Sequence, residues 1–302
     1  MPSASATNSS NSWQRRTQPS SFLGLPAKPL RRATSPKQLT IRRRSCRVIQ
    51  QRDFRSGELE KEVDAIVLSP SQIKMKCPIC AGSTFYDFRG RLNSRCSTCH
   101  SVERTRVAKL FIDKIVKLKP GARILHFAPE PGLSKFFQSL SLSAYEPCDL
   151  DPERYDIGMP IRKFDLCSDL GSLKESHYDL IVHNHVLEHL PCNYAVVLQK
   201  LQQAVKPGGY QLFSIPMQVG GYYREDLDRK LSSKERAEKF KQFDHFRMFG
   251  SLDFDRTVGM VLGIDKDYDL RDYFSENDLL AANIPKRWWR LCGASVFPVK
   301  RI

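Results

Sequence analysis

The first 52 residues contain no aspartate and no glutamate, although they hold eleven lysines and arginines. This segment therefore carries eleven of the net +15 charges of the chain, which leaves about +4 for the remaining residues. A main body with so little excess positive charge gives poor support for nucleic-acid binding on charge alone.

The same segment is rich in Ser, Thr, Arg, Pro and Gln and has no sustained apolar period. Such a composition cannot bury enough surface to offset the entropy of ordering the chain, so we predict a disordered tail over residues 1–52. An Arg-rich, Ser-rich and acid-poor leader is typical of a transit peptide for a mitochondrion or a plastid. The alternative is a plain basic tail that touches RNA.

Long apolar runs are also missing, and none approaches the roughly 18 residues that a membrane-spanning helix needs. We therefore expect a soluble organellar protein with no membrane span. The nine cysteines are an odd number and follow no secretory signal. This pattern favours a reducing compartment and a metal site over disulfides.

Four of the cysteines form two close pairs, each with two residues between its members, and fifteen residues separate the pairs. Each pair can present two thiolates to one ion, and four thiolates suit tetrahedral zinc. We predict a zinc ribbon over residues 75–101, with a structural ion because all four positions are filled by Cys77, Cys80, Cys96 and Cys99. Iron ligation and metal-free thiols are the alternatives.

From residue 102 onward, strand and helix patterns alternate, which predicts a parallel sheet wound with helices. We expect an α/β, doubly wound (Rossmann-like), mostly parallel sheet in one domain over residues 102–302. Residues 220–278 are charged and aromatic and are interpreted as an insertion. The strands are predicted at 122–127, 143–149, 161–165, 179–183 and 210–215, with a last one near the C-terminus.

Two segments resemble a known family. Residues 178–190 read YDLIVHNHVLEHL, and Val205-Lys206-Pro207-Gly208-Gly209 follows a helical spacer. Both are similar to the second half of class I S-adenosylmethionine-dependent methyltransferases. The run LHFAPEPGL, which follows the cysteine pairs and a VERTR helix, resembles a subgroup of zinc-ribbon methyltransferases with an altered cofactor turn.

The resemblance implies where the cofactor binds. In the family, the first βα turn is acidic and glycine-rich; here only the last glycine remains, and His126 stands in place of the acid. A carboxylate at the end of the second strand accepts the ribose hydroxyls, with Asp151 as the alternative to Asp149, and an acid after the third strand lies near the adenine. The implied cofactor-binding residues are His126, Glu130, Gly132, Asp149, Asp165 and Asn184.

The acceptor side follows from the same resemblance. His183 and His185 end the fourth strand at the mouth of the site, where a histidine can act as a base. His245 and Arg247 belong to a segment, FDHFRMFG, that alternates polar and aromatic residues. We interpret these four as candidate catalytic residues, with Arg247 suited to a carboxylate or phosphate. An ion-paired lid helix is the alternative for this segment.

Together these observations predict a zinc-ribbon methyltransferase that acts on a small-molecule or lipid-like acceptor. The first alternative is an RNA methyltransferase that uses the ribbon to read RNA. The second is a non-catalytic protein with the same fold, which the altered turn at residues 126–132 would suit.

Overall fold

The computed structural model describes residues 74–302. The predicted tail at residues 1–52, with its transit-peptide interpretation, lies outside the described residues, as does most of the linker that follows it.

A small cysteine-rich module opens the described chain. Strands β1 (Phe85–Phe88) and β2 (Arg91–Cys96) form an antiparallel hairpin, in which Phe85 pairs with Cys96. Each cysteine pair lies in a turn beside the hairpin, so all four thiols point to one place. The hairpin has few buried residues of its own and depends on these thiols and on the neighbouring helices.

Helix α1 (Glu103–Phe111) follows directly and continues through a π-helical turn (Ile112–Val116). The turn ends at Lys117, whose φ of 54° is in the left-handed region that stops a helix. Val107, Phe111 and Ile112 are buried against the main sheet because they recur at helical spacing.

The main sheet has six strands. Five of them come first along the chain: β3 (Ile124–Phe127), β4 (Tyr145–Asp149), β5 (Arg162–Lys163), β6 (Tyr178–Asn184) and β7 (Val205–Ser214). Three short strands form a separate sheet, namely β8 (Met217–Gln218), β9 (Arg224–Glu225) and β10 (Arg247–Gly250). The main sheet is completed by β11 (Val296–Lys300).

The order of the main sheet is β11-β7-β6-β3-β4-β5. All neighbours are parallel except β11, which runs antiparallel to β7. Strand β3 is buried along its whole length and β6 everywhere except at Asp179, as expected of parallel strands covered on both faces. The chain reverses its winding direction between β3 and β6, and a crevice forms there at the carboxyl ends of the strands. The predicted fold class is confirmed.

Five further helices cover the sheet and its edges. They are α2 (Pro131–Ser141), α3 (Tyr194–Ala204), α4 (Ser233–Phe240), α5 (Val258–Leu262) and α6 (Glu276–Ala281), with 3₁₀ turns between several of them. Helix α4 begins with a capping box, since Ser232 accepts from the Glu235 amide and Glu235 accepts from Ser232. Residues 220–278 thus contain α4, α5, the start of α6 and two strands of the small sheet.

One buried arginine joins the cysteine module to the end of the chain. The Arg106 guanidinium donates hydrogen bonds to the backbone oxygens of Ser94, Ser101, Ala282 and Asn283 at 2.7–3.0 Å. The Lys76 amide also donates to the Ala281 oxygen at 2.7 Å. The module is therefore packed against α1 and α6 as part of the same core.

The cysteine prediction needs one correction. Cys167 and Cys192 form a disulfide between the loop after β5 and the loop before α3. The expectation of reduced thiols is wrong for this pair, because the fold brings together two cysteines that are 25 residues apart in sequence. Among residues 74–302, no helix is long and apolar enough to cross a membrane.

Candidate active site

A cavity of about 640 Å³, here called the strand-end cavity, opens at the carboxyl ends of β3, β4, β5 and β6. Each strand contributes the residues that directly follow its last hydrogen-bonded position, because parallel strands end at the same edge of the sheet. The wall combines apolar side chains with a few acids; it includes Phe127, Ala128, Glu130, Asp149, Leu150, Phe164, Asp165, Leu166, Asn184 and Leu190.

Two of the predicted carboxylates line this cavity. Asp149 ends β4, and one of its oxygens accepts a hydrogen bond from the Asp151 amide at 2.8 Å. Asp165 accepts from the Cys167 amide at 2.8 Å through one oxygen. The Tyr155 side chain is also hydrogen-bonded to Asp149. A carboxylate offers about four lone-pair positions, so both groups can still accept from a bound molecule. Asp151 does not line the cavity, so the geometry favours Asp149 over Asp151.

The first βα turn differs from the cofactor-binding turn that the sequence predicts. Ala128 has a φ of 51°, the left-handed conformation that glycine adopts most easily, so the backbone keeps a glycine-type turn without the glycine. Gly132 packs against the cysteine module, since a Cβ there would lie 3.5 Å from the Cys99 oxygen. Gly132 lines the second cavity described below and contributes nothing to the strand-end cavity wall.

His126 is also placed differently from the prediction. Its ring is fully buried, Nδ1 lies 3.0 Å from the Tyr145 hydroxyl, and burial lowers its pKa to about 3. The side chain points to the α2 side of β3, because neighbouring Phe127 takes the cavity side of the strand. A cofactor-binding role for His126 is therefore corrected to a packing role.

Glu130 and Asn184 form a polar bridge across the cavity floor. Glu130 accepts from the Thr105 hydroxyl at 3.0 Å and from the Asn184 amide at 2.9 Å. The Asn184 oxygen accepts from the Ser214 hydroxyl at 2.9 Å. Arg104 lies 3.7 Å from the Glu130 carboxylate and completes the group. The predicted pair of polar side chains is thus brought together and fixed by neighbours on α1 and β7.

A second cavity of about 490 Å³, here called the arginine-lined cavity, lies between the cysteine module and the strand ends. Its wall includes Arg89, Arg91, Arg95 and Arg104. Arg91 is partly paired with Glu103 at 3.3 Å, whereas the exposed Arg89 stacks on Phe88. Four guanidinium groups on one wall create a positive potential that suits a carboxylate, phosphate or sulfate.

The two cavities meet. Arg104, Glu130, His185, His189 and Gln242 line both of them. A molecule in the strand-end cavity and a molecule in the arginine-lined cavity would therefore approach each other across these side chains. This is the geometry that a group-transfer reaction requires.

A cluster of titratable side chains occupies the junction. Burial raises the pKa of Glu188 to about 8 and lowers the pKa of His245 to about 4. Burial also lowers the pKa of His185 and of His189, although Asp244 opposes this for His189. The imidazoles are therefore neutral near pH 7 and hold free lone pairs that can accept a proton.

Two predicted catalytic residues lie elsewhere. His183 stacks on Phe213, bonds the Gln211 amide at 2.9 Å and is fully buried. Arg247 is fully buried, pairs with Glu225 at 2.8 Å and donates to the backbone oxygens of Leu187 and Cys192. Neither lines the two cavities, so a direct acceptor contact is corrected to a structural role for both. His185 and His245 do lie at the junction.

The four paired cysteines come together as the spacing predicts. The Cys77 and Cys99 sulfurs are 3.5 Å apart, as are those of Cys80 and Cys96, and all four lie within 4.8 Å of one another. Sulfurs around one tetrahedral zinc ion, with bonds of about 2.3 Å, would be about 3.8 Å apart. The donor set therefore fits zinc.

Glu188, His189 and Arg104 were not among the residues that the sequence predicted for the site. Their position at the junction depends on long-range packing of α1 and of residues 240–250 onto the end of β6. One signal was present in the sequence: an acid and two histidines occur within residues 185–189, and a third histidine follows an aspartate at 244–245.

Comparison with known proteins identifies the class. The model of a family described as a methyltransferase domain matches residues 101–257, which is more than half of the chain. The chain therefore belongs to this methyltransferase family. No curated protein matches the chain.

Solved structures share parts of the fold. A SAM-dependent methyltransferase from Archaeoglobus fulgidus is 20% identical, with a TM-score of 0.31, and the match covers 37% of this chain and 53% of that one. A second, from Mesorhizobium loti, is 17% identical with a TM-score of 0.35, over 49% of this chain and 76% of that one. The match thus spans about half the length of the first of these relatives.

Proposed function

We propose that this protein transfers a methyl group from S-adenosylmethionine to a small or lipid-like acceptor that carries an anionic group. The observation that carries the proposal is the meeting of two cavities, one with carboxylates at the strand ends and one lined by arginines. The cofactor supplies an activated methyl group on its sulfonium. The protein has to hold both reactants in line and manage the acceptor proton.

The strand-end cavity has suitable donors for the cofactor. Asp149 would accept the ribose hydroxyls, and Asp165 would accept from the adenine amino group. Leu150, Phe164 and Leu166 provide the apolar surface that a purine needs. Glu130 would receive the ammonium of the methionine part, since its carboxylate lines the same cavity.

The arginine-lined cavity would hold the acceptor. Arg104 is the best-placed anchor because its side chain lines both cavities, and the 3.7 Å contact of its Nε with Glu130 is too long for a hydrogen bond. His185 would accept the acceptor proton: its ring lines the junction, and Nε2 has no hydrogen-bond partner in the described part of the chain. Water exclusion would come from Gln242 and Phe246, which cover the strand-end cavity.

We also propose that Cys77, Cys80, Cys96 and Cys99 bind one structural zinc ion. Elemental analysis of the folded protein should give about one equivalent for this site, since structural zinc in such modules binds tightly. A value below about half an equivalent in well-folded protein would contradict this assignment.

Cofactor binding is tested by calorimetric titration of S-adenosylmethionine. Asp149→Ala should weaken binding by about 1.5–3 kcal/mol, the value of hydrogen bonds to a charged group. Asp151→Ala is the matched control because its side chain lies outside the cavity wall. A loss of affinity confined to Asp151→Ala would mean that Asp151, and not Asp149, binds the ribose. Absence of cofactor binding to the wild type would favour the non-catalytic alternative.

The acceptor class is tested with cofactor that carries a labelled methyl group, added with the protein to a cell extract. We expect label in the low-mass or organic-phase fraction, unaffected by ribonuclease. Arg104→Gln should reduce this labelling at least tenfold while cofactor affinity changes little, and Arg287→Gln, far from both cavity walls, should not.

RNA is the second candidate acceptor because of one feature of the cysteine module. Arg95 lies over the rings of Tyr86 and Phe88, and Arg89 lies over Phe88, so the hairpin presents stacked arginines and aromatics. Such surfaces bind single-stranded RNA. Label that is recovered in RNA and removed by ribonuclease would favour this candidate over the small acceptor.

A further inference from the structure

One buried carboxylate at the junction has no hydrogen-bond partner among the described residues, although Nδ1 of His185 lies 3.5 Å from its Oε1. Glu188 lies in the 3₁₀ turn after β6, and its side chain is 1% exposed. Within residues 74–302, neither of its carboxylate oxygens has a hydrogen-bond partner. An ionised carboxylate is costly to bury without hydrogen bonds, so this side chain must take up either a proton or a bound cation.

Imidazole nitrogens surround the same carboxylate. His189 Nε2 lies 3.8 Å from Oε1 of Glu188, and one ligand atom from each of Glu188, His189 and His245 can be chosen so that all three lie within 4.8 Å of one another. His245 is buried, and its Nδ1 has no hydrogen-bond partner in the described structure. Ligand atoms around one first-row ion, with bonds of about 2.1 Å, lie roughly 3–4 Å apart.

The surrounding contacts orient the cluster. The other nitrogen of His189, Nδ1, lies 3.2 Å from the Asp244 carboxylate, which leaves Nε2 directed at Glu188. A carboxylate on the distal nitrogen is the usual support of a metal-binding histidine. The Phe246 amide donates to the Glu188 backbone oxygen at 2.8 Å, so the segment that carries His245 is fixed to the turn that carries Glu188.

The site opens towards the arginine-lined cavity. Glu188, His189 and His245 all line that cavity, so an ion held by them would have positions free for oxygen donors from a bound molecule. One carboxylate and two imidazoles suit borderline ions such as Zn²⁺ and Mn²⁺. The cluster is separate from the four cysteines, whose thiolates select zinc.

We propose that Glu188, His189 and His245 bind a divalent first-row metal ion at the junction of the two cavities. The ion would bind an oxygen of the acceptor and hold it beside the cofactor; this last part rests on the proposed methyl transfer. Metal binding itself does not depend on it and is measured separately.

Binding is tested on the full chain with its cysteine site loaded with zinc. Mn²⁺ is the first probe because thiolates bind it poorly, and loss of the free-ion signal in electron paramagnetic resonance gives the bound fraction. We expect one equivalent of bound Mn²⁺. Glu188→Gln and His245→Asn should each weaken binding at least a hundredfold, and Asp244→Asn should weaken it about 10- to 100-fold.

The control is His100→Asn, which lies on the wall of the same cavity outside the cluster and should bind Mn²⁺ as the wild type does. Zinc content provides the second measurement: saturated wild type should hold two equivalents, and Glu188→Gln one. The melting temperature of the wild type should rise on addition of Mn²⁺, and that of Glu188→Gln should not.

Two outcomes would overturn the proposal. One is unchanged Mn²⁺ affinity in Glu188→Gln, and the other is failure of Mn²⁺ and of extra Zn²⁺ to bind at millimolar concentration. Either result leaves calorimetric binding of S-adenosylmethionine untouched, so failure of this site and failure of the proposed function are distinguishable.

Discussion

Two residues at this site adopt an unfavourable backbone conformation. Ala128 in the first βα turn and His185 at the end of β6 have φ values of 51° and 55°. Non-glycine residues in this region carry strain, and such strain collects where a side chain is held for function. The side chain of Ala128 is only a methyl group, so the conformation of Ala128 matters for the course of the backbone alone. His185, in contrast, has a ring that lines both cavities.

Replacement of Ala128 tests this difference. Ala128→Gly should raise the free energy of unfolding by about 0.5–1 kcal/mol, because glycine removes a left-handed penalty of about 1–2 kcal/mol and loses part of it to chain entropy. Chemical denaturation measures the change. Ala237→Gly in the middle of α4 is the control and should lower stability by about 1 kcal/mol. A loss of stability in Ala128→Gly would show that the methyl group packs usefully.

The direction of individual side chains is a feature that the sequence could predict only in part. Asp149, Asp165, His185 and His245 reach the cavities because each lies just past a strand or in a segment beside the strand ends, which the resemblance could place. Arg247 has the same local signal, yet its guanidinium points inward to Glu225 and to two backbone oxygens. The direction of a side chain at a strand start depends on which neighbour packs on which face, and spacing alone does not contain that information.

At the scale of elements, the cysteine module behaves as part of the main core. Its hairpin is linked to α6 by Arg106, and Asn283 donates to the Asn93 oxygen at 2.8 Å. Sequence spacing predicted the module and its ligands, since thiolate geometry is local. The docking could not be predicted, because its partners are backbone oxygens about 180 residues away along the chain.

Arg106 gives a test of this docking. Arg106→Lys keeps the charge but cannot donate to four oxygens at once, because an ammonium has three donors and no planar fork. Buried acceptors left without partners should lower the free energy of unfolding by about 2–4 kcal/mol. Urea denaturation measures the loss, with the half-exposed Arg95→Lys as control. A loss of less than about 0.5 kcal/mol would contradict the role of Arg106 as a link.

The same packing predicts how removal of the proposed zinc ion affects stability. A chelator that extracts the proposed zinc ion should lower the melting temperature of the whole described domain in one transition, because the module shares its contacts with α1, α2 and α6. Differential scanning calorimetry separates the outcomes. An unchanged main transition after loss of zinc would mean that the module unfolds alone.

At the scale of the whole molecule, stability should depend on pH through buried neutral histidines. The pKa of His126 is about 3 in the folded chain, below the value of about 6.5 for an unfolded histidine. The unfolded state therefore binds a proton below pH 6.5 that the folded state excludes. The contribution of neutral His126 to the free energy of unfolding is fully present above about pH 6.5 and falls as the pH is lowered from there.

His126→Gln isolates this contribution. Between about pH 7.5 and pH 5.5, the free energy of unfolding of the wild type should fall by about 1.4 kcal/mol more than that of the variant. Gln keeps a polar atom near the Tyr145 hydroxyl, and the exposed His100→Gln serves as control. If the free energy of unfolding of wild type and of His126→Gln changed in parallel with pH, His126 would not contribute to the pH dependence of stability.

The overall sheet was predictable because β3, β6 and the second half of β7 are mostly apolar runs joined by helical patterns and turn signals, whereas β4 has a mixed sequence. The two-residue strand β5 and the small sheet of β8, β9 and β10 were less visible, since they are too short to show a period. They exist because long-range pairing holds them. The insertion at residues 220–278 could be outlined by composition, whereas its contact with the junction follows from β10 and the backbone bond between Phe246 and Glu188.

The Arg106 link also constrains the order of events during synthesis. Two of its four acceptors belong to residues 282 and 283, so the cysteine module, which is made before the rest of the described domain, cannot complete its docking until residue 283 has been added. A ribosome-bound chain that ends before residue 276 should therefore expose the hairpin to protease even with zinc present. Protection in that truncated chain would show that α1 alone holds the module. The cysteine module, the first of the described residues to be translated, is thus among the last parts to complete its packing.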